Sequence, residues 1–389
     1  MRRRTKIILI ILLAAVTSSG CWDREELDTL GIVAGLAIDI DEKDPDKVQI
    51  TAQVLNPRAI SPSQSGGGGG TEAVPVLNRQ ASGYTLFDAI RKSTTQPSRK
   101  LYFPHNQILV VSEELARTKG TEYFLDFFLR DPEPRRSTWI LVANNKASDI
   151  LGIHAVIDEI PAIAIAETLK TWTATSQVFP VSVHMFTQDL MSKSSAPIAT
   201  YITRIGDDVR LAGMAVFKGT RLVGLLDLAE TRGLLWVRNQ VKSGIIVTKC
   251  IKDGKKVSLE VMNSKCKVTP VMRNGEIYMK IDVEIKSNLG DQQCLHNHTT
   301  EEALKSLASQ QNTVVENEIK AVLAKAHSLG ADILLFADTI YRKYPKKWKE
   351  LAPNWDKVFP TIKTEINVKS SINHIGMIVE PARPPQQDK

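Results

Sequence analysis

Residues 266–285, CKVTPVMRNGEIYMKIDVEI, decide the fold class of this chain. Apolar side chains alternate with polar ones on both sides of Arg273-Asn-Gly-Glu276, and the Asn-Gly pair supplies the positive-φ residues that a tight turn between right-twisted strands requires. Working outward, Gly244–Cys250 and Lys256–Met262 repeat the apolar pattern, separated by Lys252-Asp-Gly-Lys255 and followed by the polar pair Asn263-Ser264. Four strands in series, Gly244–Cys250, Lys256–Met262, Cys266–Met272 and Glu276–Ile285, predict an antiparallel meander. Downstream, Leu304, Leu307, Val314, Val315, Ile319, Val322, Leu323 and Ala326 share one face of a long helix that Thr299 or Thr300 can cap and Gly330 ends. Ser306, Gln310 and Gln311 interrupt any strict heptad, so one amphipathic helix lying on a sheet is the simpler reading. A short helix over Ile333–Arg342 and a strand over Ile362–Val368 follow, and residues 381–389 read as a disordered tail.

Upstream, helices and strands alternate. Thr29–Asp39 and Lys47–Leu55 read as a hairpin about an acidic turn, Thr85–Ser93 as a helix capped by Thr85, and Ile108–Val111 and Trp139–Ala143 as buried strands. Helices are expected from Ser112 into Arg117, over Thr121–Leu129, from Ala147 to His154 and over Ile160–Thr171. Arg210–Phe217 and Arg221–Leu226 form a hairpin around Lys218-Gly-Thr220, and Glu230–Trp236 is a helix. The expected class is α+β, in two or three subdomains, each a mixed or antiparallel sheet with flanking helices. The polar stretch Ser192–Pro197 marks the expected boundary between an α/β domain over 21–191 and a second domain over 198–380, the latter as one or two subdomains. Ser61–Thr71, with five consecutive glycines, reads as a flexible loop, since no lysine and helix start follow to make it a phosphate cradle.

The amino-terminal residues have the character of an export signal: Arg2, Arg3, Arg4 and Lys6, then apolar Ile7–Val16, then small residues up to Gly20. An apolar run of that length rises roughly 15 Å as a helix, about half the hydrocarbon thickness, so residues 1–20 are expected to be cleaved rather than to span. Cys21 follows the small residues as a diacylglyceryl acceptor does in lipoprotein processing, although Ser18 stands where leucine is usual. Two or three acyl chains on Cys21 would hold the protein firmly to a membrane. The leader also accounts for most of the formal charge of +7, because its four cations leave the remainder close to balance. That balance, with charges interspersed, excludes nucleic acid as a partner. With Cys21 committed to lipid, Cys250, Cys266 and Cys294 allow at most one internal disulfide and leave a thiol over.

No catalytic constellation is present: there is no nucleophile elbow, zinc-protease helix, Walker loop or Cys-x-x-Cys. The acidic turn 41–46 lacks the glycine and distal glutamate of a calcium loop. Cys294-Leu-His296-Asn-His298 could bring two ligands to one ion but needs others from elsewhere, and an exposed loop is the plainer reading. Tyr341–Trp355 mixes aromatic and basic residues, which suits a lipid surface or a partner; tryptophans packed inward with lysines in water explain it more simply.

Several motifs together resemble the Ger(x)C family. They are Cys21-Trp-Asp-Arg-Glu-Glu-Leu27 with Ile32-Val-Ala-Gly35, Leu101-Tyr-Phe-Pro-His105 with Ile108–Ala116, and Leu129-Arg-Asp-Pro-Glu133. Leu211–Lys218 through Gly224, Glu230-Thr-Arg-Gly-Leu-Leu-Trp236, Ala331-Asp-Ile333, Tyr344-Pro345 and Trp348 continue the likeness in order. The glycine run departs from the family pattern. The resemblance implies a fold of several mixed sheets with flanking helices. It further implies a non-enzymatic lipoprotein, lipidated at Cys21, serving as the C subunit of a spore nutrient germinant receptor on the outer face of the spore inner membrane. Its partners would be two integral membrane subunits, A and B, with no metal or cofactor. The alternative from the residues alone is a solute-capturing lipoprotein that delivers a ligand to a transporter; an envelope hydrolase lacks a nucleophile and base.

Overall fold

The computed structural model describes residues 29–374, apart from 57, 58, 60–73, 96–98, 154–158, 193, 251, 252 and 294–299, together with residues 3, 5 and 7. Cys21, the glycine run, Cys294, His296, His298 and the tail 381–389 therefore lie outside the described residues.

Among the described residues, thirteen strands form two sheets. The first is built from β1 (Leu30–Ile40), β2 (Val48–Leu55), β3 (Val76–Gly83), β4 (Lys100–Tyr102), β5 (Ile108–Ser112), β6 (Trp139–Ala143), β7 (Ile198–Ile205), β8 (Asp208–Lys218) and β9 (Arg221–Leu226). Its order is β3-β2-β1-β5-β6-β7-β8-β9, with β4 beside the start of β1. β1, β5, β6 and β7 run parallel, and antiparallel wings extend from both sides. β5 is buried at every residue, as expected of a parallel strand covered on both faces. One face carries α1 (Leu86–Ser93), α2 (Glu113–Thr118), α3 (Asp126–Arg130), α6 (Val183–Met191) and α7 (Leu228–Val237). The other carries α4 (Ala147–Leu151) and α5 (Pro161–Lys170), packed on Ala34, Ala37, Ile108, Val110 and Leu141. Gln53 on β2 fastens both: its Nε2 donates to Leu151 O at 2.9 Å, and its Oε1 accepts from Ala162 N at 2.9 Å.

The second sheet comprises β10 (Gly244–Lys249), β11 (Lys256–Arg273), β12 (Glu276–Gln292) and β13 (Lys363–His374), in that order. β10, β11 and β12 are antiparallel; β13 returns parallel to β12 after α8 (Glu301–Leu329), α9 (Phe336–Lys343), α10 (Pro345–Leu351) and α11 (Trp355–Val358). The fold is α+β with mixed sheets, and the long helix α8 starts at the cap Thr300 and ends at Gly330 in the left-handed conformation. A single hydrophobic cluster runs from both sheets through α7 and α8.

Three local expectations need correction. Asn263-Ser264 is not a turn: β11 is continuous through it, with a bulge at Met262 between Val261 and Asn263. The extra residue moves the inward positions from Val257, Leu259 and Val261 to Cys266 and Val268, and Ser264 Oγ donates to Val241 O at 2.9 Å while Asn239 Oδ1 accepts from Cys266 N at 2.7 Å. Thr121–Leu129 is a 3₁₀ turn over Thr121–Tyr123 followed by the short α3, the break falling at Phe124 (φ −133°), and the Thr121 N–H donates to Thr220 O at 2.9 Å in the β8–β9 turn. The stretch 192–197, where the sequence suggests a domain boundary, is crossed by the first sheet, since β7 lies parallel to β6 beyond it.

Candidate functional site

Leu101–His105 and Leu129–Glu133, far apart in sequence, meet in space. Phe103 is buried and lies edge-on to Phe127 at 5.6 Å, and Phe127 also meets Phe128 at 5.6 Å and Phe87 at 6.1 Å. Lys100 Nζ lies 3.6 Å from Glu133 Oε1. Between α1 and α3, Phe87 and Phe127 border a cavity of about 660 Å³ also lined by Tyr84, Tyr123, Asp126 and Arg130.

The helix Glu230–Trp236 is explained by what it holds. Asp227 and Glu230 form a reciprocal cap at the start of α7. One turn further, Arg232 and Trp236, four residues apart on one face, both reach Glu318 on α8. Arg232 Nε donates to Glu318 Oε1 at 3.1 Å and Oε2 at 3.0 Å, its Nη2 also donates to Oε1, and Trp236 Nε1 donates to Oε2 at 2.9 Å. Arg232 Nη1 reaches Ile245 O on β10 at 3.0 Å. Gly233 sits where a Cβ would lie 2.2 Å from Glu318 O, so only glycine permits this approach of α7 and α8. Glu318 was invisible to pattern reading because helical periodicity marks apolar positions; a lone buried acid on that face has no partner legible in sequence.

Ala331-Asp-Ile333 forms a second buried junction. Asp332 accepts from Phe336 N at 3.1 Å and Ala337 N at 2.8 Å, capping α9, while its own carbonyl accepts from Ala196 N at 3.1 Å beside β7. Arg238, at the end of α7, donates from Nε to Ile333 O at 2.7 Å. Burial pushes the Asp332 carboxyl up to about 6, against the lowering pull of those N–H groups and of Arg238. Burial likewise pushes Arg238 down, against the opposing pull of Asp189 on α6 and of Asp332.

A polar crevice of about 560 Å³ opens outside the carboxyl ends of β1, β5 and β6, lined in part by Asp39, Glu42, Glu113, Glu114, Arg117 and Lys146. From β1 the chain turns to β2 on one side, and from β5 it proceeds to β6 on the other, which is where open α/β sheets place ligand crevices. Asp39 accepts from Ala147 N at 2.7 Å and Ser148 N at 3.0 Å, and burial raises its pKa. Arg117 pairs with Glu113 and Lys146 with Glu42.

The other sequence candidates are placed plainly. Cys250 is disulfide-bonded, and Cys266 is a free thiol that burial pushes up to about 12. Among the described residues, no three His, Cys, Asp or Glu side chains are placed to hold a metal. In Tyr341–Trp355, Trp348 packs at 5.1 Å on buried Trp355, which meets Phe359, and Lys346 and Lys349 face water.

Residues 23–204 match the family described as Spore germination protein N-terminal domain, and residues 212–376 match Spore germination B3/GerAC like, C-terminal. The chain belongs to the Ger(x)C family of spore germination proteins. Among Ger(x)C relatives, Spore germination protein KC of Bacillus subtilis (strain 168) is 29% identical, with 98% of each chain covered. Spore germination protein B3 of the same organism is 24% identical, covering 92% of this chain and 95% of the relative. The crystal structure of the GerBC protein superposes with a TM-score of 0.55 at 22% identity, covering 90% of this chain and 99% of that one, and shares the fold.

Proposed function

We propose that this protein is a membrane-anchored lipoprotein subunit of a spore nutrient germinant receptor, acting through contacts with integral membrane A and B subunits. The observation that carries the reading is the match of both halves of the chain, in order and nearly end to end, to spore germination proteins. The leader ending at Cys21 supplies the anchor, and the buried junctions at Glu318 and Asp332 suit a rigid body that works by contact rather than by chemistry. A tether raises the local concentration of the folded body around membrane partners, so weak contacts suffice for assembly. Spores lacking the protein are expected to sporulate normally and to lose germination with particular nutrients. Normal germination of such spores with every nutrient, with no paralogue compensating, removes the assignment.

The crevice outside β1, β5 and β6 favours one second reading, capture of a small polar solute for a transporter. A raised melting temperature on adding a nutrient amino acid or sugar to the isolated protein would support it, because a ligand that binds only the folded state stabilises that state.

A further inference from the structure

The four parallel strands give the first sheet two distinguishable ends, and the two ends differ in charge. At the amino ends of β1, β4, β5 and β6, and in the β8–β9 turn beside them, the segments 99–107, 131–138 and 218–221 carry six Lys or Arg against two carboxylates. At the carboxyl ends, the segments 41–47, 113–117, 144–146 and 204–208 carry eight carboxylates against five cations. Arg99, Arg135 and Arg136 at the basic end are exposed. The basic end is also where the chain enters the fold, at Leu30. Cys21 precedes Leu30 by nine positions, which limits the reach from a lipidated cysteine to about 30 Å.

We propose that the amino-end face of the first sheet, centred on Arg99, Arg135 and Arg136, docks on anionic phospholipid headgroups and holds the protein with its acidic crevice turned away from the bilayer. The proposal rests on lipidation of Cys21, since the tether brings this end and not the opposite one to the surface. Charge complementarity selects the occupant. Cations within a Debye length of an anionic leaflet are attracted to it, and the carboxylate-rich end would be repelled if it were turned toward the leaflet. An anchored body with this polarity has one favoured orientation, and its crevice faces the aqueous side in that orientation.

The test uses the mature protein reconstituted on vesicles of phosphatidylcholine alone or mixed with phosphatidylglycerol, read by amide hydrogen exchange. Exchange over 103–107 and 131–138 is expected to slow by roughly tenfold on the anionic vesicles, and exchange over 41–47 to stay unchanged. Salt at about 1 M should reverse the slowing. The combined Arg99→Glu, Arg135→Glu and Arg136→Glu variant should lack it, and a Lys43→Glu, Lys146→Glu control should keep it. Equal exchange on both vesicle types, or slowing at 41–47 instead, overturns the proposal. Loss of the lipid anchor is read separately, as failure to float with phosphatidylcholine vesicles at high salt.

Discussion

Glu318 is the residue on which the union of α7 and α8 turns. Its carboxylate is nearly out of solvent and is matched by Arg232 and by the Trp236 indole, so the pair is satisfied on every side that the structure describes. A buried pair of this kind is near neutral against a well-packed apolar substitute, but removing one partner strands the other. Glu318→Ala is therefore expected to cost about 3–5 kcal/mol of unfolding free energy, and replacing Arg232 and Glu318 together by methionines far less, as read by urea denaturation. Equal losses in the two variants would contradict the stranded-charge argument. Asp332 offers a second residue-scale prediction, with Arg238 as the charged group facing it and Asp189 as the other carboxylate acting on Arg238. Its folded pKa of about 6 lies above the ordinary value of 3.8, so the folded state binds more protons in that interval. Stability from this group is present at low pH and is lost as pH rises from about 4 to about 6. Asp41, Asp44 and Asp282, whose pKa values hydrogen bonds lower, work in the opposite sense, so the difference between variants is the readout. Wild type should gain stability over Asp332→Asn as pH falls through that window; parallel curves would remove the assignment.

Among the elements, the β11–β12 hairpin is the one whose sequence and structure agree most closely. Asn274 at φ 52° and Gly275 at φ 82° occupy the left-handed region that its two-residue turn demands. Gly275→Val should cost about 1–2 kcal/mol, because a β-branched side chain is strained there. A variant as stable as wild type in thermal unfolding would show that the turn does not set the register. This hairpin was legible because turn chemistry and alternation are both local. The helix α8 was legible for the same reason, from its cap at Thr300 to Gly330. What escaped local reading was decided at a distance. The bulge at Met262–Asn263 is stabilised by Asn239 and Val241 from the loop after α7, and Gln311 on α8, which looked like an interruption, is buried with its Nε2 donating to Ser287 Oγ at 2.7 Å. The stretch 192–197 has the composition of a linker, yet the pairing of β6 with β7 that carries the sheet past it is a long-range contact. The motif residues around Glu230–Trp236 were visible as a pattern, but their purpose required the position of Glu318.

At the scale of the whole molecule, the two sheets share a core, besides the smaller cluster that each keeps with its own helices. The same apolar cluster takes in Val33, Leu36 and Ile38 from the first sheet, Leu234 and Trp236 from α7, Ile319 and Val322 from α8, and Ile281 and Val283 from the second sheet. Polar links that cross between the halves include Arg232 and Trp236 to Glu318, Arg232 to Ile245 O, Arg238 to Ile333 O, and Ala196 N to Asp332 O. Chains of this length commonly unfold in stages, one domain at a time. Here the shared core predicts a single transition, because losing α8 would expose the apolar flank of both sheets at about 25 cal/mol for each Å² uncovered. Tryptophan fluorescence offers reporters on both sides, Trp139 and Trp172 in the first half, Trp348 and Trp355 in the second. Their unfolding curves in urea should coincide with each other and with far-ultraviolet circular dichroism, and Glu318→Ala should move all three midpoints together. A plateau in which the first-half tryptophans remain native after the second-half pair has unfolded would separate the sheets into independent units. If the protein is tethered and acts by contact, as proposed, the distinction is mechanical: a single cooperative body would carry a push at its basic end through α7 and α8 to the second sheet, whereas two independent units would not.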